Sequence, residues 1–414
     1  MRPALASLLA VLALLAACAS PPDLATTAQA SPPVLAAFRG DPPVTSADDW
    51  TSRRAPLLRA AFLDGVYGHP PLLGAPVVEA RETLTLEDVG DALVEQWTVR
   101  LGDPALNRRF HMIVASPKGA TQAPLIVMEL FCGIRSAIPG RPEAVFEDKA
   151  ILPGPCRSQT LDPVIKVILG KRISGPSIAE VTGAGYALAM FYAGEIVPDD
   201  PVLAPPALAA LQPDVPADRR AGALAVWASL YSSAFDALTP DPRFDPARVA
   251  VWGHSRHGKA ALLAAALDPR FAAVISHQSG RGGASLSRSG AGETIRQITD
   301  EYGFWFSPAY ARSAQRYDLD IDQHQLIALI APRPVMLGSG LSDTWSDPAG
   351  AFRAAQGATP AYRLFGSSGL TATQLKNDFR PADDLAWWTR GGGHGITTAD
   401  WTAFLQFLDA HLKA

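Results

Sequence analysis

Residues 248–267 read Arg-Val-Ala-Val-Trp-Gly-His-Ser-Arg-His-Gly-Lys-Ala-Ala-Leu-Leu-Ala-Ala-Ala-Leu. Arg248 to Trp252 has the apolar character of a buried strand, and Lys259 to Leu267 is an alanine- and leucine-rich helix former. Between them, Gly253 and Gly258 flank Ser255. A serine on so sharp a strand-to-helix turn is pushed clear of the sheet. The helix N-terminus behind it aims amides at any negative charge that develops there. The pattern is G-x-S-x-x-G, one residue longer than the usual G-x-S-x-G elbow. Small residues fill many ordinary βα turns, so the turn needs partners before it implies chemistry.

Outward from this turn the chain alternates. Strand-like runs fall near Leu93–Leu101, Phe110–Ala115, Leu125–Phe131, Tyr186–Phe191, Arg248–Trp252, Ala273–His277, Pro334–Gly338 and Leu385–Thr389. Helical stretches are expected at Ala55–Phe62, Ala221–Leu238, Lys259–Leu267, Pro348–Ala355 and Thr402–Leu412. The proline-rich Pro198–Pro216 reads as an irregular insertion. Early hairpin-like strands followed by β-α alternation predict an α/β-hydrolase fold. Its sheet would be mostly parallel with an antiparallel N-terminal edge, and helices would cover both faces.

The 414 residues are 48% hydrophobic and 18% charged, enough for one sizeable core. A net charge of −4 gives no electrostatic case for nucleic acid. The eight histidines form no H-E-x-x-H or C-x-x-C pattern, so neither a metal nor another cofactor is expected. At the N-terminus, Arg2 and the apolar Ala4–Ala17 read as a signal peptide over residues 1–17, too short to span a membrane. Leu15-Ala16-Ala17-Cys18 resembles a lipobox, which would make Cys18 the lipid anchor of an exported protein and its only link to a membrane. Cleavage after Ala17-Cys18-Ala19 is the rival reading. Residues 18–45 read as a flexible tether and residues 46–414 as a single catalytic domain. Cys132 and Cys156 are either a disulfide or two buried thiols. The sequence says nothing of oligomeric state.

A serine hydroxyl needs a general base, usually histidine, oriented in turn by a carboxylate. In this fold the chain order is Ser, acid, His. His394, within Gly391-Gly-Gly-His-Gly395, follows a strand and precedes the final helix, where the fold delivers its base. His277 and His324 compete with it. Asp343 lies just past the Pro334–Gly338 strand and is the expected acid. Asp347, before a proline, reads more simply as a helix N-cap. Arg256 follows the nucleophile, so its N–H is a natural oxyanion donor and its guanidinium a second. Lys259 stands one turn further on. Two cations at a helix start oppose the helix dipole, which favours a functional use over a merely solvated one.

These residues together resemble the glucuronoyl esterases, carbohydrate esterase family 15. The resemblance is carried by Gly253-His-Ser255-Arg256-His-Gly258-Lys259, Gln278-Ser-Gly-Arg-Gly-Gly283, Asp322-Gln-His324 through Pro334, Asp343-Thr-Trp345-Ser-Asp347-Pro and Gly392-Gly-His394. It covers residues 220–412 well and residues 45–220 only loosely. It implies a secreted α/β-hydrolase acting without a cofactor on a glucuronic-acid-bearing carbohydrate ester. The bond cleaved would be the 4-O-methyl-glucuronoyl ester that joins xylan to lignin alcohols. By the same resemblance Lys259, Glu293 and Trp345 would bind the uronate, lysine on hydroxyls and tryptophan along the ring. Many members carry the acid as a glutamate at the position held here by Gln278, which bears no charge. Others use an acid after the following strand, where Asp343 stands. Two further readings stay open: an acetyl-xylan or general carboxylesterase, and a catalytically inactive carbohydrate-binding lipoprotein.

Overall fold

The computed structural model describes residues 30–103, 106–138, 145, 151–152, 156, 175–314 and 319–413. The signal segment, Cys18 and the first part of the expected tether lie outside these residues. Among the described residues nine strands form one sheet in the order β1-β2-β3-β5-β4-β6-β7-β8-β9. They are β1 (Val77–Thr83), β2 (Ala92–Arg100), β3 (Arg109–Pro117), β4 (Ala123–Glu129), β5 (Ala187–Phe191), β6 (Phe244–His254), β7 (Ala273–His277), β8 (Val335–Gly340) and β9 (Leu385–Arg390). The β1–β2, β2–β3 and β3–β5 pairs are antiparallel. Every later pair is parallel. The fold is the expected α/β-hydrolase arrangement.

Among the described residues the α-helices of six residues or more are α1 (Ala55–Phe62), α2 (Ile178–Gly183), α3 (Ala204–Leu211), α4 (Ala223–Leu238), α5 (Arg256–Leu267), α6 (Ile295–Tyr302), α7 (Pro308–Ser313), α8 (Gln323–Ala328), α9 (Pro348–Arg363) and α10 (Thr398–Leu412). They cover both faces, and the strand alternation shows why. Along β6, Val249 and Val251 join a core with Trp227 of α4 and Leu262 of α5. Ala250 and Trp252 join the opposite core with Ile178 of α2 and Phe404 of α10. A strand buried on both faces favours apolar residues throughout, so β5 and β8 are continuous apolar or small-residue runs and β4 is apolar up to its last residue, Glu129. Trp252 stacks on Trp401 at 5.3 Å between ring centroids, which fastens α10 to β6.

Three expectations change. β1 was not anticipated. Its Val-Val-Glu-Ala-Arg-Glu-Thr sequence is polar because it is an exposed edge strand, paired on one side only. Within Pro198–Pro216, Ala204–Leu211 is a helix. Pro205 and Pro206 stand in its first turn, where no amide hydrogen is required. Residues 30–45 do not act as a free tether. Val34, Phe38 and Val44 are buried in the main core. Ser31 donates to Asp322 at 2.8 Å, and His324 Nε2 meets the Pro32 carbonyl at 2.8 Å. Cys132 and Cys156 form a disulfide, which closes the alternative left open by the sequence.

Candidate active site

β6 ends at His254 and α5 begins at Arg256, so Ser255 alone makes the turn, at φ 56° and ψ −125°. A non-glycine residue held there stores about 1–3 kcal/mol of strain and must be over-determined by its surroundings. Ser255 N donates to the His277 carbonyl at 2.8 Å, which anchors the turn to the neighbouring strand. A Cβ on Gly253 would lie 2.1 Å from the His257 carbonyl oxygen, so only glycine lets the strand pass the helix start. The displaced second glycine has the same explanation. A Cβ on Gly258 would press on the Gly253 and His277 carbonyls at 3.0 and 3.1 Å, so in this chain the close approach falls one residue later.

The structure brings Asp343 and His394 together. His394 Nδ1 and Asp343 Oδ2 are 2.7 Å apart, and the carboxylate is buried. A carboxylate only accepts, so in the neutral ring Nδ1 is the nitrogen that carries the proton and Nε2 the one that can act as base. The His394 ring centroid lies 4.7 Å from that of His254, the residue before Ser255. Among the described residues Ser255 Oγ has no hydrogen-bond partner. In resting enzymes the serine–histidine bond is often long and tightens with substrate. The competing histidines are used elsewhere. His324 holds the N-terminal segment, and His277 is fully buried behind the turn. Asp347 is the N-cap of α9, accepting from Gly350 N at 2.8 Å.

Arg256 is rigidly housed. Its guanidinium pairs with Asp199 and packs on the rings of Trp305, Phe131 and Tyr302 at 4.6, 4.9 and 5.4 Å. Trp305 Nε1 donates to the other Asp199 oxygen at 2.8 Å. Burial opposes the guanidinium charge, but Asp199 and Tyr302 outweigh it and hold the pKa above its ordinary value. Sequence reasoning missed Asp199, since nothing in Pro198-Asp-Asp-Pro201 distinguishes it from Asp200.

Lys259 and Glu293 are both buried. Lys259 Nζ donates to the Ser279 and Arg281 carbonyls at 2.6 and 2.7 Å, so two of its three hydrogens serve the loop. Burial pushes its pKa down and that of Glu293 up, to about 7, and each partly offsets the other's shift. Glu293 N donates to the Trp345 carbonyl at 3.0 Å, so the loops carrying these two residues are joined. Arg281, also missed, donates to the Glu293 and Ala291 carbonyls at 2.6 and 2.9 Å and shapes this loop from within.

Two buried pairs lie behind the turn. His254 and His277 share a contact of 3.0 Å between their Nδ1 atoms, and His277 Nε2 is 3.4 Å from Asp400 Oδ1. Burial and the neighbouring His394 hold His254 well below the usual histidine range, so it stays neutral. His257 Nδ1 lies 2.7 Å from Glu129 Oε1, and burial raises the Glu129 carboxyl despite this partner. Among the described residues no group of three or more His, Cys, Asp and Glu could hold a metal ion.

This geometry can be set beside known proteins. A family model described as glucuronyl esterase, fungi, matches residues 215–366. A marine bacterial structure described as a promiscuous CE15 esterase superposes with a TM-score of 0.81 at 29% identity, covering 94% of this chain and 98% of that one. The chain is similar to esterases of carbohydrate esterase family 15. A glucuronoyl esterase from Solibacter usitatus superposes with a TM-score of 0.78 at 29% identity, over 94% of this chain and 99% of that one. Among curated relatives, carbohydrate esterase MZ0003, from an unknown prokaryotic organism, is 40% identical over 240 residues, 57% of this chain and 56% of that protein. The 4-O-methyl-glucuronoyl methylesterase 1 of Wolfiporia cocos is 33% identical over 159 residues, 36% of this chain and 39% of that protein. The matched segment therefore spans about half or less of these curated relatives.

Proposed function

We propose that the chain is a serine carboxylester hydrolase that cleaves 4-O-methyl-glucuronoyl esters through an acyl-enzyme. The observation that carries this reading is the buried 2.7 Å bond between Asp343 and His394, beside a serine in the strained elbow conformation. The names of the relatives support the substrate class. In the proposed cycle His394 Nε2 takes the Ser255 proton and Ser255 attacks the uronoyl carbonyl. The Arg256 N–H and guanidinium stabilise the oxyanion, an interaction worth roughly 3–4 kcal/mol per donor. His394 returns the proton to the leaving alcohol, and water then releases the uronic acid. Lys259, Glu293 and Trp345 bind the sugar.

The test is initial-rate hydrolysis of benzyl glucuronate. Ser255→Ala should lose at least roughly a thousandfold in kcat. Retained turnover in that variant, or none in the wild type, would end the reading. Faster turnover of an acetyl ester would move the substrate to acetyl groups.

Export and anchoring through an acylated Cys18 belong to the same proposal, as does a catalytic domain that follows the signal segment. Lipid labelling of cells should mark the wild type and spare Cys18→Ala, and an unlabelled wild type would exclude the anchor.

A further inference from the structure

Gln278 stands at the end of β7 and is 2% exposed. Its backbone is in the left-handed region, at φ 48°. Its N–H donates to the Gly338 carbonyl of β8 at 2.8 Å, so the sheet fixes where the side chain starts. Nε2 donates to Asp343 Oδ2 at 3.0 Å and to the Gly393 carbonyl at 3.1 Å. Oε1 accepts from Gly395 N at 3.1 Å. One amide therefore grips the acid and the two residues flanking His394.

The loop that presents His394 cannot order itself. Gly391, Gly392 and Gly393 have no side chains and are exposed. Its order must come from outside: Ser342 N donates to the Gly392 carbonyl at 2.9 Å, Asp343 holds the His394 ring, and two further side chains grip the loop backbone. Arg390 donates to the Gly391 and Gly395 carbonyls at 2.8 and 2.5 Å, from the rim. Gln278 acts from beneath and is the one of the two that also touches Asp343. A glutamate there would have no hydrogen to give to Gly393 or Asp343 while ionised, and an asparagine is one methylene short. Methionine would fill the space and leave the Gly395 N–H without its partner.

We infer that Gln278 is a positioning residue that holds Asp343 and the His394 loop in register, so that the imidazole stays aimed at Ser255. This deepens the serine-hydrolase reading and rests on it. Misplacement of a base by about 1 Å costs roughly a hundredfold in rate. Gln278 makes no contact with the acyl group in this scheme, so its loss should act on kcat and spare substrate binding.

The experiment compares wild type, Gln278→Met, Gln278→Ala and Gln278→Asn, each checked for a cooperative melt. The readouts are kcat and KM on benzyl glucuronate and the rate at which a fluorophosphonate probe labels Ser255. For every folded variant we expect kcat and labelling to fall in parallel by roughly tenfold to a hundredfold, with KM within about threefold of wild type. Asn fills the site most conservatively and serves if Met and Ala do not fold. A folded variant with kcat and labelling within about twofold of wild type overturns the inference, as does a change confined to KM. Asp343→Ala and Ser255→Ala run alongside. If those two stay active, the hydrolase reading itself fails, whatever the Gln278 variants show.

Discussion

Asp343→Asn is the most informative substitution because it changes one atom and keeps the shape. The Asp343 carboxylate receives only donors. Oδ2 takes His394 Nδ1 at 2.7 Å, Gln278 Nε2 at 3.0 Å and the Ser346 hydroxyl, and Oδ1 takes Ser346 N at 3.3 Å. An asparagine offers one acceptor and one NH2, so an NH2 must face a donor. If it faces the Ser346 side, the buried amides oppose each other. If it faces His394, Nδ1 must shed its proton and the ring then carries that proton on Nε2, towards Ser255. A base already protonated on its working nitrogen cannot take the serine proton. The loss in kcat should therefore be about a thousandfold to ten-thousandfold, as for other triads with this change. That corresponds to about 4–5.5 kcal/mol in the barrier. KM should change little, since Asp343 is buried behind the histidine. Steady-state hydrolysis of benzyl glucuronate measures both constants, and circular dichroism confirms the fold. An Asp343→Asn enzyme within about threefold of wild type would refute the assignment of the acid.

Other predictions address the surrounding groups. Asp199→Ala should lower kcat by about tenfold or more by freeing the Arg256 guanidinium, whereas Asp199→Asn, able to keep the Trp305 hydrogen bond, should lose less. Equal rates in all three enzymes would show that the Asp199 contact is only structural. The raised Glu293 pKa, about 7 through burial, means that its carboxylate is lost as pH falls through neutrality. The KM of the wild type for the uronate ester should accordingly rise by about threefold to tenfold on that side of the profile. Glu293→Gln should flatten this arm, and a pH-independent wild-type KM would argue against a sugar contact at this position.

Several elements were legible because their signal is local. The nucleophile turn shows in glycine spacing between an apolar strand and an alanine-rich helix. His394 shows in a glycine cluster between a strand and the last helix, and Asp347 in the proline that follows it. β1 and α3 were not legible. An exposed edge strand has no apolar alternation to display, and prolines in a first helical turn look the same as prolines in a loop. Asp199 matters only through partners many residues away, so no window of sequence reveals it. Arg281 bonds carbonyls within its own loop, but no periodic pattern marks an irregular loop's internal bonds. Gln278 was read as a missing charge, since sequence reports its chemistry and not what it touches.

By itself, then, the chain determined the alternation of strands and helices, the sharp serine turn and the chain order of Ser255, Asp343 and His394, because backbone geometry and burial act through near neighbours. Tertiary structure alone decided that residues 30–45 pack on the body, that Cys132 meets Cys156, and that one amide bridges the acid and the histidine loop. Those are contacts between distant segments. Their partners are selected by how the sheet and its loops close in space, and that closure is written in no single stretch of residues.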